Sequence, residues 1–359
     1  MMPEMAPTRS QSILRIGIDC RFASLHAGLG RYTRELVTHL LMRNDDVEYV
    51  LFVSDTDHHS WIPPVSTTHY SLLTTHSKHY SLSEQVKFPL KIKRSGIDLL
   101  FSPHFNVPLF CPVPFVATIH DLILHRYPNQ ASPMKQRAYR MVMKHTVKKA
   151  ASLVAVSAFT ADELAKKYGK NLRKKISVIH EAASPEFSRK TAGACAPVLR
   201  KYDLRKPFFL YVGNAKEHKN VQMLIDAYRA LGSTDTELVL VTGGKEARAL
   251  RVCDGVKLLQ EVTDGDLPCL YHFAVCFVTA SLYEGFGLPV LEAQASGCPV
   301  IVTNRGALPE IAPPGARIVE PTIDALTEAL AEPPSPSDPG RMRTWEEVAE
   351  ETATMLQKM

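Results

Sequence analysis

The chain has 359 residues, 45% of them apolar and 22% charged, with a formal net charge of +5. That length exceeds one ordinary core and suits two domains, and the composition excludes global disorder. The modest charge, carried by basic residues that lack an aromatic stacking platform or a reader motif, argues against a nucleic-acid partner. Seven cysteines with no Cys-x-x-Cys pair predict buried reduced thiols, neither a disulfide frame nor a zinc site. The first eleven residues lack an apolar leader core and no later run approaches eighteen apolar residues, so a cytoplasmic protein is expected.

In chain order, residues 1–12 read as a disordered tail. Strands are expected at 13–19, 47–54, 98–103, 114–119, 153–157 and 176–180, interleaved with helices at 32–42, 80–94, 134–150 and 160–168. Short buried strands alternating with helices predict a parallel sheet covered on both faces. The pattern lapses at 188–206 into Ala, Gly, Pro and charge, which predicts a linker between a domain at 13–187 and a second at 207–332. In the second, strands at 208–213, 237–242, 275–280 and 299–303 alternate with helices at 221–231, 266–273 and 289–296. Residues 333–340 (PPSPSDPG) break the pattern again and isolate a terminal helix at 344–358, with Thr344 as N-cap and Glu347 three residues on, a capping box. The fold class is therefore α/β, with two doubly wound, Rossmann-like domains in tandem, and ligands are expected at the carboxyl ends of the strands.

Several unusual groups fall at those ends. After the strand ending at Ala280, Glu284-Gly285-Phe286-Gly287-Leu288 makes a tight loop, and Pro289 suits the first position of a helix. A helix start exposes unpaired N–H groups and a partial positive charge, and Gly285 and Gly287 let a ligand approach the backbone. Glu292, one turn in, is within reach of a ribose hydroxyl pair, although acidic residues favour first turns for dipole reasons alone. The stretch Gly213-Asn214-Ala215-Lys216-Glu217-His218-Lys219-Asn220 joins another strand end to a helix. A lysine beside a diphosphate offsets charge as a leaving group departs; taken alone it is an ordinary surface charge. Gly28-Leu29-Gly30 reads by itself as a flexible turn, and it lacks the third glycine of a dinucleotide fingerprint. His120-Asp121 ends the strand at 114–119, and Asp55-Thr56-Asp57-His58-His59 has no matching distant ligands, so no metal site is expected. Lys135, Arg137, Arg140, Lys144, Lys148 and Lys149 line a basic amphipathic stretch, which reads either as a solvated helix face or as a contact with an anionic membrane.

Together these residues resemble the family-4 retaining glycosyltransferases. The most specific element is Glu284-Gly-Phe-Gly-Leu-Pro-Val-Leu-Glu292, similar to the family's Glu-x7-Glu motif. Gly-Leu-Gly-Arg-Tyr, His120-Asp121, Val156-Ser157, Lys219-Asn220 and Ala295-Ser-Gly-Cys-Pro-Val300 follow in family order. The resemblance implies a GT-B fold, two Rossmann-like domains facing each other across a cleft. It implies a hexosyltransferase that moves a sugar, mannose favoured, from a nucleotide-sugar to a glycan or polyprenyl-linked glycan in cell-surface polysaccharide synthesis. His120, Lys219 and Glu284 would be catalytic, and Gly30, Gly213, Asn214, Lys216, Phe286, Gly287, Leu288 and Glu292 would bind the donor, with no cofactor or metal. GDP-mannose is the favoured donor and a UDP-sugar the other; peripheral contact with the inner membrane face would suit a lipid-linked acceptor. Asn214 stands where the family commonly has Arg, which motivates another reading, a nucleotide-sugar-binding protein without turnover; an epimerase or hydrolase of the same fold is a separate alternative.

Overall fold

The structure, a computed structural model, describes residues 13–24, 28–54, 61–63, 70–77, 79–336 and 340–359. The tail at 1–12 and the acidic and histidine run at 55–59 lie outside the described residues. Thirteen strands are described: β1 (Leu14–Asp19), β2 (Val47–Ser54), β3 (Tyr70–Thr75), β4 (Leu99–Ser102), β5 (Phe115–Ile119), β6 (Ser152–Ala155), β7 (Ile176–Val178), β8 (Phe208–Val212), β9 (Glu237–Val241), β10 (Val256–Leu259), β11 (Cys276–Val278), β12 (Val300–Thr303) and β13 (Arg317–Val319). They form a seven-stranded sheet ordered β3-β2-β1-β4-β5-β6-β7 and a six-stranded sheet ordered β10-β9-β8-β11-β12-β13. The pairing is parallel: Ile18 of β1 faces Leu51 of β2 and Phe101 of β4, while Phe209 of β8 faces Leu238 of β9 and Cys276 of β11. In each sheet the first strand in sequence lies inside, so the chain builds outward in one direction and then the other. The point of reversal falls between β1 and β4 in one sheet and between β8 and β11 in the other, and such switch points open a crevice at the carboxyl ends of the strands.

Burial explains why these segments are strands. β4, β5, β6, β11 and β12 are buried at every position, as strands covered by helices on both faces must be. In the second sheet Phe209, Tyr211, Leu238, Leu240, Val278 and Ile301 pack against Leu224, Ile225 and Tyr228 of the helix Val221–Leu231 and Leu326 and Leu330 of the helix Ile323–Ala331. Their removal from water is the main favourable term in the folding of this layer.

Compactness divides the chain differently from the sequence boundary. One unit holds the described residues up to Ile119 together with Arg137–Val154 and Ala349–Met359; the other holds His120–Gln136 and Ala155–Val348. The segment expected as a linker contains the helix Ala192–Lys201, whose N-cap Thr191 accepts from the Ala194 amide. Cys195 on this helix forms a disulfide with Cys269, and this corrects the expectation of reduced thiols throughout. The two are 74 residues apart in sequence, with Cα atoms at 5.3 Å, a proximity that cysteine spacing alone does not disclose. Lys201 and the Tyr202 hydroxyl both reach the Asp266 carboxylate, at 2.7 and 2.8 Å, so the same helix is tied at its far end. The terminal helix Trp345–Gln357 has the expected capping box: the Glu347 amide donates to Thr344 Oγ1 and the Thr344 amide to Glu347 Oε2.

Candidate active site

At the switch point of the second sheet, two loops meet. The loop after β8 runs from Gly213 to a single turn of 3-10 helix, Glu217–Lys219, and the loop after β11 runs from Thr279 to Gly287. The Leu282 amide donates to the His218 carbonyl at 2.7 Å and joins them. Lys219 Nζ lies 2.5 Å from Glu284 Oε1, with the two side chains 19% and 14% exposed. Ser281 Oγ donates to the same oxygen at 2.8 Å and is itself 2.9 Å from Thr279 Oγ1. The carboxylate is thus fixed from two sides and holds the lysine ammonium at the mouth of the crevice.

The glycine loop beyond Glu284 is built to a tight tolerance. A methyl group at 285 would overlap the His120 carbonyl oxygen. The Gly285 carbonyl accepts from Ser157 Oγ at 2.6 Å and from Thr160 Oγ1 at 3.1 Å. Gly287 has φ +122° and is the N-cap of the helix Leu288–Ala295, with Pro289 in its first turn; as a glycine it offers that turn no capping side chain. By contrast, the start of the helix Ala158–Tyr168 already holds an anion: the Glu310 carboxylate accepts from the Ala158 and Phe159 amides at 2.7 and 3.0 Å and lies 2.7 Å from His180 Nε2. Glu310 therefore uses one helix N-terminus as a carboxylate seat.

His120 sits at the end of β5 with Nδ1 3.2 Å from Glu181 Oε1, and Glu181 is 4% exposed. A carboxylate at that distance makes Nδ1 the protonated nitrogen and sets the ring's orientation. The neighbouring Asp121 carboxyl is raised above its ordinary value by burial. His218 is buried and 3.0 Å from Gln130 Nε2. Burial, with Lys219 beside it, pushes its pKa down to about 4, so its imidazole is neutral around pH 7.

His120, Gly213, Asn214, Lys216, Lys219, Glu284, Phe286, Gly287, Leu288 and Glu292 all lie in the second compact unit; direct contacts join Lys219 to Glu284 and the Gly285 loop to His120. Gly30 lies in the first unit, in the first turn of the helix Gly28–Leu41. The Gly-x-Gly there begins a helix where a flexible turn was expected, because Leu36, Val37 and Leu40 give the segment a buried face. Asn214 and Lys216 are exposed, and the Asn214 side chain accepts from the Lys216 amide at 3.3 Å. Glu292 is 2% exposed and accepts from the Tyr271 hydroxyl at 2.9 Å. Sequence reasoning passed over the residues that hold these in place: Glu181, Ser281, Tyr271, Thr160 and Glu310. A carboxylate just past the end of β7 was a signal for Glu181; nothing local marks Tyr271, which acts across 21 residues of chain.

This arrangement belongs to the class of two-sheet, doubly wound enzymes with a polar crevice at a switch point. The family model "Glycosyltransferase Family 4" matches residues 26–187 and the model "Glycosyl transferases group 1" matches residues 200–335. The chain belongs to the family-4 glycosyltransferases, and its folding class is GT-B. Among its relatives, the O-antigen chain mannosyltransferase B of Escherichia coli is 28% identical over 332 residues, covering 84% of this chain and 85% of that protein. The O-antigen chain mannosyltransferase RfbU of Salmonella typhimurium is 29% identical, covering 67% of this chain and 66% of that one. Among solved structures, Anabaena Alr3699/HepE in complex with UDP and glucose superposes with a TM-score of 0.73 at 14% identity, covering 96% of this chain and all of that one.

Proposed function

We propose that the protein transfers a hexose, mannose favoured, from a nucleotide-sugar to a glycan during synthesis of a cell-surface polysaccharide. The observation that carries this reading is the pair Lys219–Glu284, held at 2.5 Å at a switch point beside the helix start at Leu288. The preference for mannose rests on the two relatives that bear mannosyltransferase names. GDP is the favoured nucleoside diphosphate; the UDP in the Anabaena protein keeps a uridine donor in the test.

Lys219 and the first-turn amides of the helix Leu288–Ala295 would receive the diphosphate, and Glu284 would orient the sugar. Glu292 would hold the ribose by exchanging Tyr271 for a donor hydroxyl. The bond from the anomeric carbon to the phosphate oxygen breaks as the acceptor oxygen attacks the same face. The acceptor's proton passes to the departing phosphate, and configuration is retained. Positive charge placed where negative charge develops is the chief stabilisation such a site offers. In this reading no metal takes part. Lys216, exposed beside Asn214, would supply a second cation.

Contact with an anionic membrane on the cytoplasmic side fits the helix Pro133–Lys149, where Met134 and Met141 are 81% and 55% exposed among Arg137, Arg140 and Lys144. Among the described residues no helix is long and apolar enough to cross a membrane; a surface contact would bring the enzyme to a lipid-linked acceptor.

The test is the unfolding midpoint of wild type and Lys219→Ala with GDP, UDP and ADP, with and without EDTA, beside transfer from GDP-mannose. A ligand at 100 times its Kd stabilises by about 2.7 kcal/mol, a shift of several degrees. One nucleotide is expected to shift wild type regardless of EDTA, and Lys219→Ala is expected to lose more than about tenfold in turnover. No shift with any nucleotide, or normal turnover in the variant, overturns the reading.

A further inference from the structure

The glycine loop of the second compact unit is held at two successive peptide groups. The Glu284 carbonyl accepts from the Ala307 amide at 3.0 Å, and the Gly285 carbonyl accepts from Ser157 Oγ and Thr160 Oγ1 at 2.6 and 3.1 Å. These supports come from distant parts of the chain. One is the segment after β12, and the other is the start of the helix Ala158–Tyr168. On the first side the approach is close. A methyl group at Gly306 would fall 2.6 Å from the Glu284 nitrogen, and one at Gly287 would fall 3.0 Å from Ile311 Cδ1. The short helix Leu308–Ile311 therefore lies directly against the loop.

Glu310, on that short helix, joins the two supports. It accepts from the Ala158 amide at 2.7 Å and the Phe159 amide at 3.0 Å, and its Oε1 lies 2.7 Å from His180 Nε2. The His180 ring in turn sits 5.9 Å from that of Phe286, inside the loop. The contacts close a circuit, from Glu284 through Ala307 to Glu310, across to Ala158, and back through Ser157 to Gly285. The helix Ala158–Tyr168 has a cap of its own without Glu310, since Ser157 is its N-cap and accepts from the Thr160 amide at 3.0 Å. The helix Leu308–Ile311 is different. Four residues make too few hydrogen bonds of their own to hold a helix, so its place is set by what it touches, and the Glu310 carboxylate is its charged tie.

We propose that Glu310 is a positioning residue for the donor's hexose: its carboxylate locks the two peptide groups on either side of Gly285 into one geometry, so that the Glu284 side chain and the glycine loop meet the sugar already oriented. Preorganisation of this kind depends on a shell of fixed supports behind the groups that touch the ligand. The inference deepens the proposed function and rests on its assignment of Glu284 to the sugar. The nucleoside diphosphate is received by other groups, Lys219 and Glu292 among them, so loss of Glu310 acts on the hexose and spares the nucleotide.

Calorimetric titration of GDP and GDP-mannose, with UDP and UDP-glucose as a second pair, into wild type, Glu310→Ala and Glu310→Gln tests the role. In whichever pair binds wild type, Glu310→Ala is expected to bind the nucleotide-sugar at least about fivefold more weakly, as when the competent loop is populated about one-fifth of the time, with affinity for the bare nucleotide within about twofold. Acetate has the size of the fragment that Glu310→Ala removes. About 0.1 M acetate is therefore expected to restore most of the lost affinity, where chloride of equal ionic strength, and so equal screening, does not. Glu310→Gln keeps the shape but turns an amide N–H toward one of the donors, so the same split is expected there without a response to acetate. Equal weakening of nucleotide and nucleotide-sugar in both variants makes Glu310 structural alone and overturns the role, as does unchanged affinity for the nucleotide-sugar. Wild type that binds neither pair overturns the donor reading, and the role falls with it.

Discussion

A methyl group at position 285 has nowhere to go. The His120 carbonyl oxygen occupies the place of the missing side chain, and the Asp121 side chain lies beside it. Both obstacles are backbone or backbone-anchored, so Gly285→Ala is expected to move the loop. The loss predicted is about 2–4 kcal/mol of stability and most of the turnover, read from urea midpoints and initial rates; wild-type stability in the variant would show that the contact is looser than drawn. His218 carries a pH prediction. Its folded pKa of about 4 lies below its ordinary 6.5, so the unfolded chain binds the extra proton first. This group's contribution to stability is intact above pH 6.5 and is lost as pH falls toward 4, by on the order of 2 kcal/mol. His218→Gln is expected to flatten the midpoint across that window, and an unchanged slope would remove His218 from the account. Glu284 and Lys219 were legible because a carboxylate and a lysine at two strand ends, the carboxylate followed by glycines and a helix-starting proline, are rare together. Tyr271 was not, since it acts on Glu292, a residue brought near only by the fold.

Among elements, the alternation of apolar runs and helices disclosed the interior strands, and those missed are all at sheet edges: β3 in the first sheet, β10 and β13 in the second. Leu72, Leu258 and Ile318 on them are 40%, 37% and 46% exposed, and a half-exposed edge strand gives no continuous apolar signal. The helix Ala192–Lys201 was hidden for another reason. It contains Gly193 and Pro197, which read as loop, and its stability comes from tertiary ties that no local pattern shows. The Cys195–Cys269 disulfide closes a loop of 74 residues, worth about 4 kcal/mol if the constraint acts on the unfolded chain. Reductant is therefore expected to lower the unfolding midpoint by several degrees, and Cys195→Ser to reproduce the lowered value without reductant. Seven thiols reactive in denaturant without reductant, in place of five, would show that the bond does not form.

At the scale of the whole molecule, two parallel sheets each built outward from an interior first strand were foreseeable from the order of elements. At the reversal of the second sheet a lysine and a carboxylate are in contact. The division into compact units was not foreseeable. The sequence break at 188–206 falls between the two sheets, yet His120–Gln136 and Ala155 onward belong with the second unit. A gene opened within that break would not yield two self-sufficient proteins. The downstream product would lack Ser157, Thr160, His120 and Glu181, the groups that fasten and orient its glycine loop, while the upstream product would carry them with nothing to hold. Dissection, domain exchange and chimera building in this enzyme therefore call for keeping His120, Ser157 and Thr160 with the glycine loop they contact.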